Sequence, residues 1–297
     1  MRGQFLVRLL VLVGIFVFFT LSSFAQVALN ETIVPSTNRV MRGELTLRAG
    51  GGRIEYSEDV SNASVDSDFE SGYGEFGVGY SYAAASALTL QIQATGWVSD
   101  EDLETWRSSG KLFQRNSLEV KGVDLLGRCG LDLHRARPEL LTLWLGLGYR
   151  AQTFERDQFR FFNDPADNES NLGSVQEDYR IALAHIGVDG AVYANQKLSL
   201  RGSVGVGFVF FSEADNDLLG TINGDGGTSV EAGIEVSYAW TARQHVGLEV
   251  HYSIQELDGD NENRLFFSDG DVVQANVEWP DNEFERFALD VFWRVQL

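Results

Sequence analysis

One cysteine, four prolines and four histidines serve a chain of 297 residues, and each scarcity excludes something. Cys129 alone cannot form an intrachain disulfide, and no paired Cys or His residues stand at the spacing of a structural zinc site. With no His close to it in an exposed stretch, Cys129 also lacks the base of a thiol nucleophile and reads as a small apolar residue, buried or facing lipid. So few prolines, with no Ser/Pro-rich stretch, leave no linker to divide the chain. Positive charge is short as well. Twenty-three Lys and Arg face 43 Asp and Glu, a formal charge of −20 that would repel nucleic acid. Beyond residue 25 no apolar run is long enough for a membrane-spanning helix.

What is present begins with an export signal. Arg2 and Arg8 precede an apolar run from Leu9 to Leu21, and Ser23-Phe24-Ala25 supplies a small-x-small cleavage site, so residues 1-25 are expected to be removed. Residues 26-39 form a short leader, and 40-297 read as one β-domain. Ten strand-like stretches run roughly over 40-56, 72-83, 87-99, 116-133, 140-156, 178-193, 198-212, 228-241, 245-256 and 283-297. Their connections alternate in length, short at 84-86, 134-139, 194-197 and 242-244, long at 57-71, 100-115, 157-177, 213-227 and 257-282. This is the up-and-down pattern of a transmembrane β-barrel, with both termini periplasmic and the long loops extracellular.

The faces of the strands agree with that architecture. In the last strand Phe287, Leu289, Val291, Trp293, Val295 and Leu297 alternate with Arg286, Asp290 and Arg294. Elsewhere Gly and Ser interleave with Arg201, Glu231, Glu235, Glu249 and His251 opposite an apolar face. The expectation is an all-β, ten-stranded antiparallel barrel with a narrow polar-lined interior and lipid, including lipopolysaccharide, against its outer wall. His251 reads as a lumen residue satisfied beside Glu249. In 116-133 the apolar set changes phase between Val120 and Val123, and in 178-193 between Leu183 and Ile186, from a bulge or from a change of facing above the membrane.

The excess acid lies in the long loops, with net charges of −5, −1, −4, −4 and −6 in chain order. A mouth of one sign attracts cationic ligands or peptides. Asp258-Gly259-Asp260-Asn261-Glu262 lacks the Gly and Glu of a calcium-binding hand, so neither a metal nor a cofactor is expected.

Two loop segments carry a resemblance. Ile92-Gln93-Ala94-Thr95-Gly96-Trp97 leads into Asp100-Glu101-Asp102, and Phe210-Phe211-Ser212-Glu213-Ala214 leads into Asp215-Asn216-Asp217. With Gly148-Tyr149 and Ile186-Gly187, this resembles the omptin family, outer-membrane endopeptidases built as ten-stranded barrels. The resemblance implies a groove in which Asp100 and Asp102 face a dyad containing Asp217, with a water between them, and makes Asp215 an acid that selects basic side chains. Leu219 stands where the dyad has its His. A leucine cannot serve as the base for water. Three readings follow: a monomeric, non-proteolytic omptin-like barrel with a cation-binding rim, an endopeptidase acting through the Asp cluster alone, and a small channel.

Overall fold

The computed structural model describes residues 43–60, 64–85, 87–133, 140–162, 173–259, 261–268, 271–278 and 280–297. The expected signal segment 1-25, the leader 26-39 and the turn at 134-139 lie outside the described residues. Fourteen strands are present: β1 Gly43–Val60, β2 Val65–Ala85, β3 Leu88–Ser99, β4 Asp102–Ser108, β5 Lys111–Asp132, β6 Thr142–Phe161, β7 Val175–Ala194, β8 Leu198–Asn216, β9 Gly220–Asn223, β10 Gly226–Thr241, β11 Gln244–Asp258, β12 Asn261–Ser268, β13 Asp271–Glu278 and β14 Asp281–Gln296. Twelve belong to one antiparallel sheet, which closes because β1 pairs with both β14 and β2. Asp100 and Glu101 merely interrupt one stave, since β4 continues β3 between β2 and β5. The short β9 folds back on β8, and β12 pairs with β13 as a separate hairpin. The result is a closed barrel of ten staves.

Closure leaves no sheet edge to be solvated, and alternation then sorts the side chains. Phe76, Ile92, Leu125, Leu147, Phe208, Ile234, Leu289 and Val291 all stand exposed on the outer wall, in a belt far larger than the apolar patch of a soluble monomer. Trp240 and Trp293 lie on it toward the end where Glu44 pairs with Gln296. That end is called here the terminal end, and the opposite one the loop end. Cys129 is exposed on the same wall, between Leu90 and Leu145 of the neighbouring staves.

Two expectations need correction. The long connections 57-71 and 100-115 are largely strand, because β1, β2, β4 and β5 continue well past the apolar belt. The interior is also not polar throughout. Toward the loop end Ile54, Tyr56, Phe69, Trp97, Leu118, Val120, Phe154, Ile181 and Phe284 form an apolar core that spans the lumen. Phe154 lies 4.6 Å from the Tyr56 ring and 5.0 Å from that of Tyr179, and Trp97 lies 5.5 Å from Phe284, so rings from opposite walls meet. Ten staves are narrow enough for side chains to fill the bore.

This core explains the two phase changes in the sequence. β5 pairs with β6 without a shift from Ser117 to Asp132, and Leu118 and Val120 point inward while Val123 and Leu125 point outward. In β7, Tyr179, Ile181, Leu183 and His185 are buried on the inner face, and Ile186 is exposed outward. The strand keeps its facing. What changes is the lumen, which is apolar toward the loop end and charged below it. A true irregularity lies one stave away, where Ala182 pairs with Phe211 and Leu183 with Val209, leaving Phe210 as an extra residue in β8.

Candidate functional site

The extra residue decides where the acids of β8 point. Below it Gly205, Gly207 and Val209 face inward, and above it Ser212 and Ala214 do. Asp215 therefore falls on the outer face with Glu213, and its Oδ1 accepts a hydrogen bond from Thr221 Oγ1 at 3.1 Å. Asp217 is exposed in the following turn and docks on β7, its Oδ2 accepting from Gln176 N at 3.1 Å while its own N–H donates to Gln176 O at 3.0 Å. Leu219 is 40% exposed, and its N–H donates to Asn216 Oδ1 at 3.2 Å.

The other pair stands on the β3–β4 break. Asp100 is exposed, and its carboxylate lies beside Gly72, where an added Cβ would come within 2.9 Å of Oδ2. Asp102 is exposed too, with Oδ1 accepting from Leu103 N at 2.8 Å. Among the described residues no hydrogen bond or ion pair joins Asp100 and Asp102 to Asp215 and Asp217.

Between the strands that bear these acids, the loop end is filled by a buried ionic cluster. Arg156 of β6 reaches three carboxylates on three other strands. Nε is 2.8 Å from Glu104 Oε2 on β4, Nη1 is 2.8 Å from Glu177 Oε2 on β7, and Nη2 is 2.6 Å from Glu58 Oε1 on β1. Asn116 Nδ2 adds a 2.7 Å bond to Glu104 Oε2. The Tyr56 hydroxyl donates to Glu58 Oε1, and Asn282 Nδ2 donates to the Tyr179 hydroxyl at 3.1 Å.

One guanidinium among three carboxylates, Glu58 and Glu104 buried and Glu177 half-buried, leaves surplus negative charge that water screens poorly. Burial accordingly pushes the Glu58 carboxyl up to about 7; Glu177 and Glu104 add to the rise, and Arg156 and the Tyr56 bond oppose it. Burial works against the charge on Arg156, but Glu104, Glu58 and Glu177 outweigh it and hold the guanidinium above its ordinary value. The Tyr56 and Tyr179 hydroxyls are raised well above theirs, chiefly by burial, and remain neutral donors.

No known protein family and no curated relative matches the sequence. Solved structures do match. The crystal structure of the outer membrane protease OmpT from Escherichia coli superposes with a TM-score of 0.60 at 12% identity, covering 90% of this chain and 99% of that one. This chain has an omptin-like β-barrel fold. The translocator domain of autotransporter NalP from Neisseria meningitidis aligns at a TM-score of 0.38 and 10% identity, over 86% of this chain and 89% of that one. The Pseudomonas putida toluene transporter TodX aligns at 0.31 and 10%, over 87% and 90%.

Below the aromatic plug the omptin-like barrel is charged, and its ions pair across the bore as alternation implied. Arg150 Nη2 meets Glu231 Oε1 at 2.7 Å, Arg286 Nη2 meets Asp124 Oδ2 at 2.6 Å, and Arg294 Nη2 meets Glu235 Oε2 at 2.8 Å. A chamber of about 560 Å³ reaches the terminal end past Gly43, Glu44 and Gln296, and a smaller cavity of about 150 Å³ adjoins it above. His251 stands among acids of the lumen. Its Nε2 lies 3.6 Å from Glu75 Oε1 and its Nδ1 3.5 Å from Asp290 Oδ2.

The Arg156 cluster is not legible from spacing along the chain. Glu58, Glu104 and Glu177 lie in the long connections, and the signals that mark them inward are the parity of Glu58 with Ile54, that of Glu177 with Tyr179, and the pairing of Glu104 with Asn116.

Proposed function

We propose that this protein is a non-proteolytic outer-membrane barrel whose acidic loop end binds cationic ligands or peptides. The observation that carries the reading is the placement of Asp215 on the outer face and of Asp217 against Gln176, with Leu219 beside them. A peptide-cleaving centre needs a base and its orienting carboxylate turned together toward one attacking water. In support, Asp215 is bonded to Thr221 and Asp217 to Gln176, and Arg156, Glu58, Glu104 and Glu177 fill the bore at this end.

The cationic preference rests on like charges held side by side outside the barrel. Glu70, Glu55 and Glu285 are direct cross-strand neighbours, a row of like charge in which Arg53 Nη2 bridges Glu55 at 3.0 Å and Glu70 at 2.5 Å while the Tyr252 hydroxyl donates to Glu285 Oε2 at 2.7 Å. A cation landing on this row relieves the repulsion. The long loops face outside the cell in this reading, and the termini face the periplasm.

The test uses the folded barrel in detergent with peptides containing paired basic residues. Binding that weakens with salt, with cleavage at background, is the expected result. Robust cleavage that Asp217→Ala abolishes would overturn it in favour of an endopeptidase working through its Asp cluster.

A further inference from the structure

Asp290 is fully buried, yet neither of its carboxylate oxygens has a hydrogen-bonding partner among the described residues. The same holds for Glu75 Oε1 and His251 Nδ1. A buried carboxylate without donors is costly, so its surroundings normally provide them or a cation takes their place. Three such groups meet at one point. Single ligand atoms from Glu75, His251 and Asp290 lie within 4.8 Å of one another.

The register shows how three strands deliver them. Gly50 of β1 is the direct partner of both Asp290 on β14 and Glu75 on β2. All three positions face the lumen, and a Cβ on Gly50 would overlap the Asp290 carboxylate. Glycine therefore clears the floor between the two acids. His251 of β11 pairs with Ala288, whose small side chain leaves the imidazole room to lie toward them.

Two guanidiniums stand nearby, each bonded to another partner, with Arg48 Nε, Arg286 Nε and Arg286 Nη1 left without a hydrogen bond among the described residues. Arg286 bonds to Asp124 at 2.6 Å and stacks on Trp97, and Arg48 Nη2 donates to Thr95 Oγ1 at 2.5 Å. His251 lines the smaller cavity, which shares Arg48, Arg128 and Glu249 with the chamber reaching the terminal end.

We propose that Glu75, His251 and Asp290 form a lumen site for a divalent transition metal ion of the zinc class. Two carboxylates and a neutral imidazole carry two negative charges, which one such ion balances. One nitrogen and two oxygens suit zinc better than the all-oxygen sets of calcium or magnesium. Three protein ligands leave a further position for water from the cavity.

The decisive measurement is zinc binding to the detergent-folded barrel by competition with a chromophoric chelator. Wild type is expected to take up one equivalent, and Asp290→Asn and His251→Gln to weaken it by at least about tenfold. Circular dichroism and heat-modifiable gel mobility verify that each variant is folded. Should Asp290→Asn fail to fold, His251→Gln decides alone, since its imidazole borders a cavity. X-ray absorption should show nitrogen and oxygen scatterers with one imidazole. No uptake of a stoichiometric equivalent, uptake unchanged in the folded variants, sulfur ligation, or displacement by magnesium would each overturn the proposal.

Discussion

Arg156 binds both oxygens of Glu104, at 2.8 and 3.2 Å, across the intervening strand β5, and Glu104 has no solvent exposure at all. That two-point bond anchors the cluster that closes the loop end. Its geometry depends on a planar guanidinium, which a lysine ammonium cannot reproduce.

Removing the cation should therefore be severe. Arg156→Met leaves two buried carboxylates and the half-buried Glu177 without their cation, and the expected cost is about 3–5 kcal/mol. Urea titration of the barrel folded in lipid vesicles measures it, and Arg156→Lys should fall between the variant and wild type. A loss well under about 1 kcal/mol would mean that the cluster is hydrated.

The same cluster makes stability depend on pH in an unusual direction for a carboxylate. Burial raises Glu58 from an ordinary 4.5 to about 7, so the folded barrel holds a proton that the unfolded chain releases. This contribution is complete below the unfolded value and is lost as pH rises through the folded one. Its full size is about 3 kcal/mol at roughly 1.4 kcal/mol for each pH unit. Glu58→Gln, neutral at every pH, should remove the decline, and parallel urea midpoints from about pH 5 to about pH 8 for wild type and variant would refute it.

Restoring a histidine should not restore chemistry. In Leu219→His the imidazole would sit in an exposed turn while Asp217 remains held by Gln176 and Asp215 by Thr221. The expected rate of peptide cleavage equals that of wild type. A gain of orders of magnitude would show that the acids can reassemble into a working centre.

The outer wall can be tested at Leu147, which is 65% exposed in the middle of the apolar belt. Leu147→Arg should destabilise the vesicle-folded barrel by about 2–4 kcal/mol, the cost of an arginine facing lipid near the bilayer midplane. The same substitution at an outer-wall position of the loop end, Glu70→Arg, should change stability little. Equal effects at the two positions would contradict the assignment of the belt to lipid.

The sequence by itself determined the barrel. Strict alternation from Phe287 to Leu297, and its counterparts in nine other stretches, fixes which side chains share a face, because the period of a strand is two whatever surrounds it. Short and long connections fixed the order of the staves for the same local reason, and Arg286, Asp290 and Arg294 are on the inner face as their parity required. What the tertiary structure alone decided is which inner face meets which. The apolar plug of Tyr56, Trp97, Phe154 and Phe284 joins strands far apart in the chain, and the phase changes of β5 and β7 acquire their meaning only from it. Nor could spacing place the acids of β8. One extra residue at Phe210 reverses the facing of everything above it, since a slip of one position exchanges the two sides of a strand. Asp215 lies on the outer face and Asp217 in the turn that follows, while Arg156, Glu58, Glu104 and Glu177, distant in sequence, are brought together in the bore by closure of the sheet.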